Sequence, residues 1–136
     1  MSSAVDAGAL RGRPFGGVMT LISRKLQNCT KVLCTNERYV IVLVGNLLVC
    51  NVYFPRSSSR DRLFVYEELI ETLTSWMQLY CDYEVVIGGD FNTNLDIKNP
   101  ASDLVNRFVS ESSLYRCDVL SGIGNFCTYY NDALQR

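Results

Sequence analysis

The sequence predicts an α/β protein built on a mixed β-sheet, and three observations carry that prediction. Apolar runs flank Gly45-Asn46 in the manner of a β-hairpin. Residues 63–80 change to a helical period. A further apolar run then exits into VIGGDFNTNLD at residues 86–96. Hairpin-paired strands, then a helix, then a strand with a polar loop at its end fit a mixed sheet better than a regular doubly wound one.

Taken in order, MSSAVDAGALRGRPFGG carries Gly8, Gly12, Gly16 and Gly17 without a sustained period, and reads as a loop feeding the first strand. Val18 to Ile22 is a short β-compatible run, Lys31 to Cys34 a second and Arg38 to Val44 a third. Asn46 to Phe54, NLLVCNVYF, is apolar on both faces, as expected of a strand inside a sheet, and ends at Pro55. Leu63, Tyr66, Ile70, Leu73, Met77 and Tyr80 then recur at steps of three and four, a stripe that predicts a helix packing on the sheet. Ser59 or Asp61 is placed to cap it. Glu84 to Ile87 is a fifth strand. Pro100 with Ser102 opens a shorter helix through about Ser110, with Leu104, Val105 and Phe108 inward. Leu114 to Leu120 and Phe126 to Tyr130 read as short extended pieces.

Composition narrows the class. A chain of 136 residues suits a single domain, 1–136. At 48% hydrophobic and 20% charged, it is expected to form a packed core rather than long disorder. Its net charge of −1 means that any affinity for nucleic acid must come from local basic clusters. Cys29, Cys34, Cys50, Cys81, Cys117 and Cys127 show no CxxC spacing, and the chain has no histidine, so a structural zinc site is not expected. Reduced thiols, no secretory-type leader and no apolar run long enough for a membrane span predict an intracellular setting, cytoplasmic or nuclear.

The chemistry concentrates in the polar loop. Asp90, Asn92, Asn94 and Asp96 follow an apolar run and Gly88-Gly89. Two readings stand: an Asx-turn closing a strand, and an active-site loop at a strand's carboxyl end. On an extended backbone, Asp90 and Asn92 would project to one side. They would offer a carboxylate and a neutral amide, a pairing suited to orienting water while holding a phosphate oxygen. Tyr53 in NVYFP is either a phosphate-bonding hydroxyl or a half-buried anchor. RGRPFGG places Arg11 and Arg13 among glycines, a phosphate contact or a turn, without the lysine of a P-loop. CTYYND at 127–132 offers aromatic faces for stacking or for core packing.

GRPFGGVMTLIS, NVYFP, VVIGGDFN and FCTYYNDALQR, in this order and with an amphipathic helix between the second and third, resemble the endonuclease/exonuclease/phosphatase family. The likeness is greatest to the apurinic-type endonuclease domains of non-LTR retrotransposons and related reverse-transcriptase proteins. It implies a four-layer α/β/β/α sandwich with mixed sheets, of which this chain would be part. It also implies cleavage of phosphodiester or phosphomonoester bonds with Mg²⁺ or Mn²⁺, and DNA as the partner. By matching motifs, Tyr53 contacts phosphate, Asp90 positions or activates the attacking water, and Asn92 partners it at the phosphate. Thr128 and Tyr129 fall in the aromatic element near the scissile strand.

The departures shape the expectation. The family's opening strands, which bear an asparagine and a metal-binding glutamate, have no match ahead of GRPFGG. Its closing Ser-x-Ile-Asp-His-like element is also unmatched. The chain therefore reads as a central fragment, with metal binding weak and activity alone absent or nearly so. Uncovered sheet edges predict instability or self-association. A binding module without catalysis is a second reading, with Arg11, Arg13, Arg24, Lys25, Arg56, Arg60 and Arg62 as its nucleic-acid contacts, and an inert translated fragment is a third.

Overall fold

The computed structural model describes residues 17–120. A 3-10 helix at Arg24–Cys29 precedes β1 (Thr30–Thr35), β2 (Tyr39–Val44) and β3 (Leu47–Tyr53). Then come α1 (Arg62–Leu79), β4 (Glu84–Asp90), α2 (Pro100–Glu111) and the single turn α3 (Cys117–Leu120). The strands form one mixed sheet in the order β1-β2-β3-β4, with β1–β2 and β2–β3 antiparallel and β3–β4 parallel. The fold is therefore α/β with a mixed sheet. The described residues contain this one sheet, and no second sheet of a four-layer sandwich lies among them.

Local chemistry explains the joints. Gly45, with φ +60°, and Asn46 connect β2 to β3, and glycine at the first central position is what a type II′ hairpin turn requires. Parallel pairing cannot be made by a tight turn, so α1 carries the chain across from β3 to β4. At α2, Asn99 accepts bonds from the N–H groups of Ala101 and Ser102, and Ser102 Oγ accepts from Asn99 N at 2.9 Å. Pro100 occupies the first turn, where its missing N–H costs nothing.

One face of the sheet buries Ile41, Leu43, Leu48, Cys50, Val52 and Phe54 against Tyr66, Leu69 and Leu73 of α1 and against Ala101, Val105 and Phe108 of α2. Each fully buried large apolar side chain contributes about 1.5–3 kcal/mol. On the opposite face, register aligns Val32, Val42, Val49 and Val86 in a row across all four strands. Val42 is 2% exposed and clusters with Val18 and Val40, whereas the outer members Val32 and Val86 are 61% and 50% exposed.

Four expectations change. Val18 to Ile22 is not a strand: it lies against the second face, with Val18 buried and Leu21 82% exposed. Asn51 Nδ2 pins it by donating to Met19 O and Thr20 Oγ1 at 2.9 and 3.1 Å, so a side chain replaces a ladder. The buried stripe of α1 is Tyr66, Leu69 and Leu73, while Leu63 is 41% exposed, because the helix is rolled toward Leu69. Asp61 is the N-cap residue but its side chain makes no capping bond. Within Leu114 to Leu120, residues 117–120 form α3 instead of an extended piece, with Arg116 bonded to Asp118 at the turn. Phe126 to Tyr130 lies outside the described residues.

Candidate functional site

Register brings the site together. Tyr53, the last residue of β3, stands opposite Asp90, the last of β4, and in a parallel pair such partners share a face. The N–H of Phe54 donates to Asp90 O at 2.8 Å, which extends the pairing one residue beyond Tyr53. Gly89 makes this closure feasible. Its φ is +137°, and a Cβ there would overlap the carbonyl oxygen of Val52.

Past Asp90 the backbone reverses. Asn92 has φ +47°, a left-handed conformation that asparagine tolerates better than most residues, and its N–H donates to Asp90 Oδ1 at 2.9 Å. The loop is thus an Asx-turn at a strand's carboxyl end, as the first of the two readings of the sequence has it. Asp90 and Asn92 are not displayed side by side on an extended strand. Instead Asn92 Nδ2 reaches back to Phe54 O at 2.8 Å. A second Asx-turn follows, in which Asp96 N donates to Asn94 Oδ1 at 2.9 Å. Asp96 itself accepts from Arg116, so Asn94 and Asp96 serve the loop's own structure.

Tyr53 is half-buried against Val40 and Val42, and its hydroxyl oxygen accepts a bond from Arg56 Nε at 3.2 Å. A phenol that accepts there keeps its own O–H to donate elsewhere. Asp90 is exposed, and one carboxylate oxygen is bonded to Asn92 N–H. The pair is equipped to accept a proton from water at Asp90 and to donate a bond to an anionic oxygen at Tyr53.

Two residues absent from the expected catalytic set complete the site. Tyr66 Oη donates to Phe91 O at 2.5 Å, and Arg62 Nη2 donates to Asn92 O at 2.8 Å. Burial pushes the Tyr66 hydroxyl up from its ordinary range; Arg62 acts against this rise and the charge of Asp90 adds to it. Tyr66 therefore stays protonated and a donor at neutral pH. Its ring packs on Phe54 at 4.6 Å, and Phe54 stacks on Phe91 at 5.2 Å. The sequence offered one signal, that a buried tyrosine needs a partner for its hydroxyl.

Arg11, Arg13, Thr128 and Tyr129 lie outside the described residues. Among the described residues, no group of three or more His, Cys, Asp or Glu side chains gathers so as to hold a metal. There Asp90 brings a single carboxylate, one oxygen of which accepts from Asn92 N–H, so a Mg²⁺ or Mn²⁺ ion held by it would depend on water and phosphate oxygens for its other ligands. Comparison with protein-family models, with curated proteins and with solved structures gives no match.

Proposed function

We propose that this chain carries the carboxylate-and-tyrosine part of a phosphodiester-hydrolysing site on an endonuclease-type scaffold of retroelement origin, with DNA as the substrate and an intracellular, cytoplasmic or nuclear, setting. The observation that carries the reading is the register pairing of Tyr53 with Asp90 at the carboxyl ends of adjacent parallel strands. The resemblance of NVYFP and GDFN supports it. In this reading Asp90 orients the attacking water and takes its proton, Tyr53 donates to a phosphate oxygen, and Asn92 braces the loop while keeping one amide hydrogen for phosphate.

The same residues limit the rate. The chain has no histidine to donate to the leaving oxygen. Loss of one such electrostatic contact typically costs about 10²–10³ in rate. The chain alone is therefore expected to cleave at or near background. No described helix is long and apolar enough to cross a membrane. Val86 in β4, an edge strand among the described residues, provides an apolar site for self-association.

A second reading, nucleic-acid binding without cleavage, is favoured by the exposure of Arg24, Lys25, Arg56 and Arg60. One experiment separates the two: nicking of supercoiled plasmid by the purified chain in Mg²⁺ and in EDTA, beside Asp90→Ala. Metal-dependent nicking lost in the variant supports hydrolysis by this chain. DNA binding that weakens steeply with salt, without nicking, supports the second reading.

A further inference from the structure

We propose that Arg62 and Tyr66 are positioning residues that set the conformation of the Asp90–Asn92 loop from α1, and that Arg62 is not a nucleic-acid contact. The inference rests on the reading of that loop as the reactive one. Tyr66 and Arg62, one helical turn apart, take the two consecutive carbonyls of Phe91 and Asn92 at 2.5 and 2.8 Å. They are linked to each other as well, with Arg62 Nη2 3.4 Å from Tyr66 Oη and the guanidinium carbon 5.3 Å from the Tyr66 ring centre.

The arrangement is specific to the loop. Asn92 holds a left-handed φ, a conformation that persists when its surroundings over-determine it. Bonds with Phe54, just past β3, fix Asp90 O and the Asn92 side chain, and bonds from α1 fix the next two carbonyls. Rotation of any one peptide in this stretch would break at least one of these bonds. The cost appears at Arg62 Nε, which is buried without a hydrogen-bond partner. A planar fork committed inward at Nη2, with its Nε buried, contrasts with the exposed side chain of Arg60 two residues earlier. This separates Arg62 from the basic residues expected to face phosphate.

The test uses the full chain with Tyr66→Phe and Arg62→Gln, reading amide hydrogen exchange by NMR at Asn92, whose N–H bonds Asp90, against amides of β2. Tyr66→Phe keeps the ring packed on Phe54 and removes only the hydroxyl. The expected result is exchange at Asn92 about tenfold faster in each variant, with β2 amides unchanged relative to one another. A role limited to core filling would leave Asn92 exchange in Tyr66→Phe at the wild-type rate, and that result overturns the proposal. So would a fall of about 0.7 in the salt slope of oligothymidylate binding on Arg62→Gln, which would mark a phosphate contact. Absence of nicking by the wild-type chain bears on the hydrolase reading alone and leaves the exchange result to decide this one.

Discussion

Asn92 straps the loop after β4 to the exit of β3, its side-chain amide donating to Phe54 O at 2.8 Å while its own N–H donates to Asp90 Oδ1 at 2.9 Å. With Phe54 N donating to Asp90 O at 2.8 Å, three bonds join Phe54, Asp90 and Asn92 in a closed circuit. The placement of the carboxylate is therefore a property of both strands, not of the loop alone.

Removing the strap tests this directly. Asn92→Ala loses the bond to Phe54 and places φ +47° on a residue with no side-chain acceptor for local bonding. The expected destabilisation is about 1–3 kcal/mol in urea unfolding. Asn92→Gly, which relieves the backbone but not the lost bond, should cost less than Asn92→Ala.

The two glycines before Asp90 should respond differently. Gly89→Ala drives a methyl group into the Val52 backbone at a φ of +137°, and is expected to cost more than about 4 kcal/mol or to prevent folding. Gly88→Ala meets open space and should change stability by less than about 1 kcal/mol. Thermal unfolding of both variants checks the contrast, and equal effects would contradict the close approach of β4 to β3.

Cys50 provides an alkaline signature. Burial pushes its thiol up to about 11 from an ordinary 9.0. The folded state therefore favours the protonated form, and the stability this contributes is intact below pH 9 and lost as pH rises toward 11. The loss amounts to about 2–3 kcal/mol at most. A Cys50→Ala chain should show a correspondingly flatter fall in urea midpoint across that window. At pH 8, exposed Cys29, Cys81 and Cys117 should react with a disulfide reagent well before Cys50.

Arg116 joins the end of the loop to α3, bonding Asp96 at 2.8 Å and Asp118 at 2.5 Å. Its hydrogen bond, and then its charge, hold the Asp118 carboxyl below the usual range. Asp118 therefore favours the folded pair above its ordinary range, and that preference fades as pH falls through the lowered one. In Arg116→Gln, carboxyl NMR should show the Asp118 midpoint moving up toward an ordinary aspartate. An unmoved midpoint would mean the pair does not persist in solution.

Much of the fold was legible because its signals are local. Gly45-Asn46 marks the hairpin, NLLVCNVYF the strand with neighbours on both sides, and Pro100 the start of α2. The roll of α1 was less so. Leu63 and Leu69 are equally apolar, and only the sheet beneath selects between them. The residues at 18–22 are apolar enough for a strand, but apolarity does not specify a ladder partner, and the amide of Asn51 took that place. At the site, GDFN announced a loop and NVYFP a strand end, yet their adjacency depends on a parallel register that no local pattern encodes. Arg62 looked like one more basic surface residue because the sequence does not say which way a side chain turns.

The parallel pairing of β3 with β4 also orders events in time. β2 and β3 meet across a two-residue turn, whereas the bonds that shape the Asp90–Asn92 loop span 25, 30 and 38 residues. Long closures form more slowly than local ones, so the hairpin is expected to form before this loop. A nascent or partly folded chain would then hold Asp90 as an ordinary flexible side chain. The arranged carboxylate exists only once the crossover has docked, which makes the loop a reporter of completed folding.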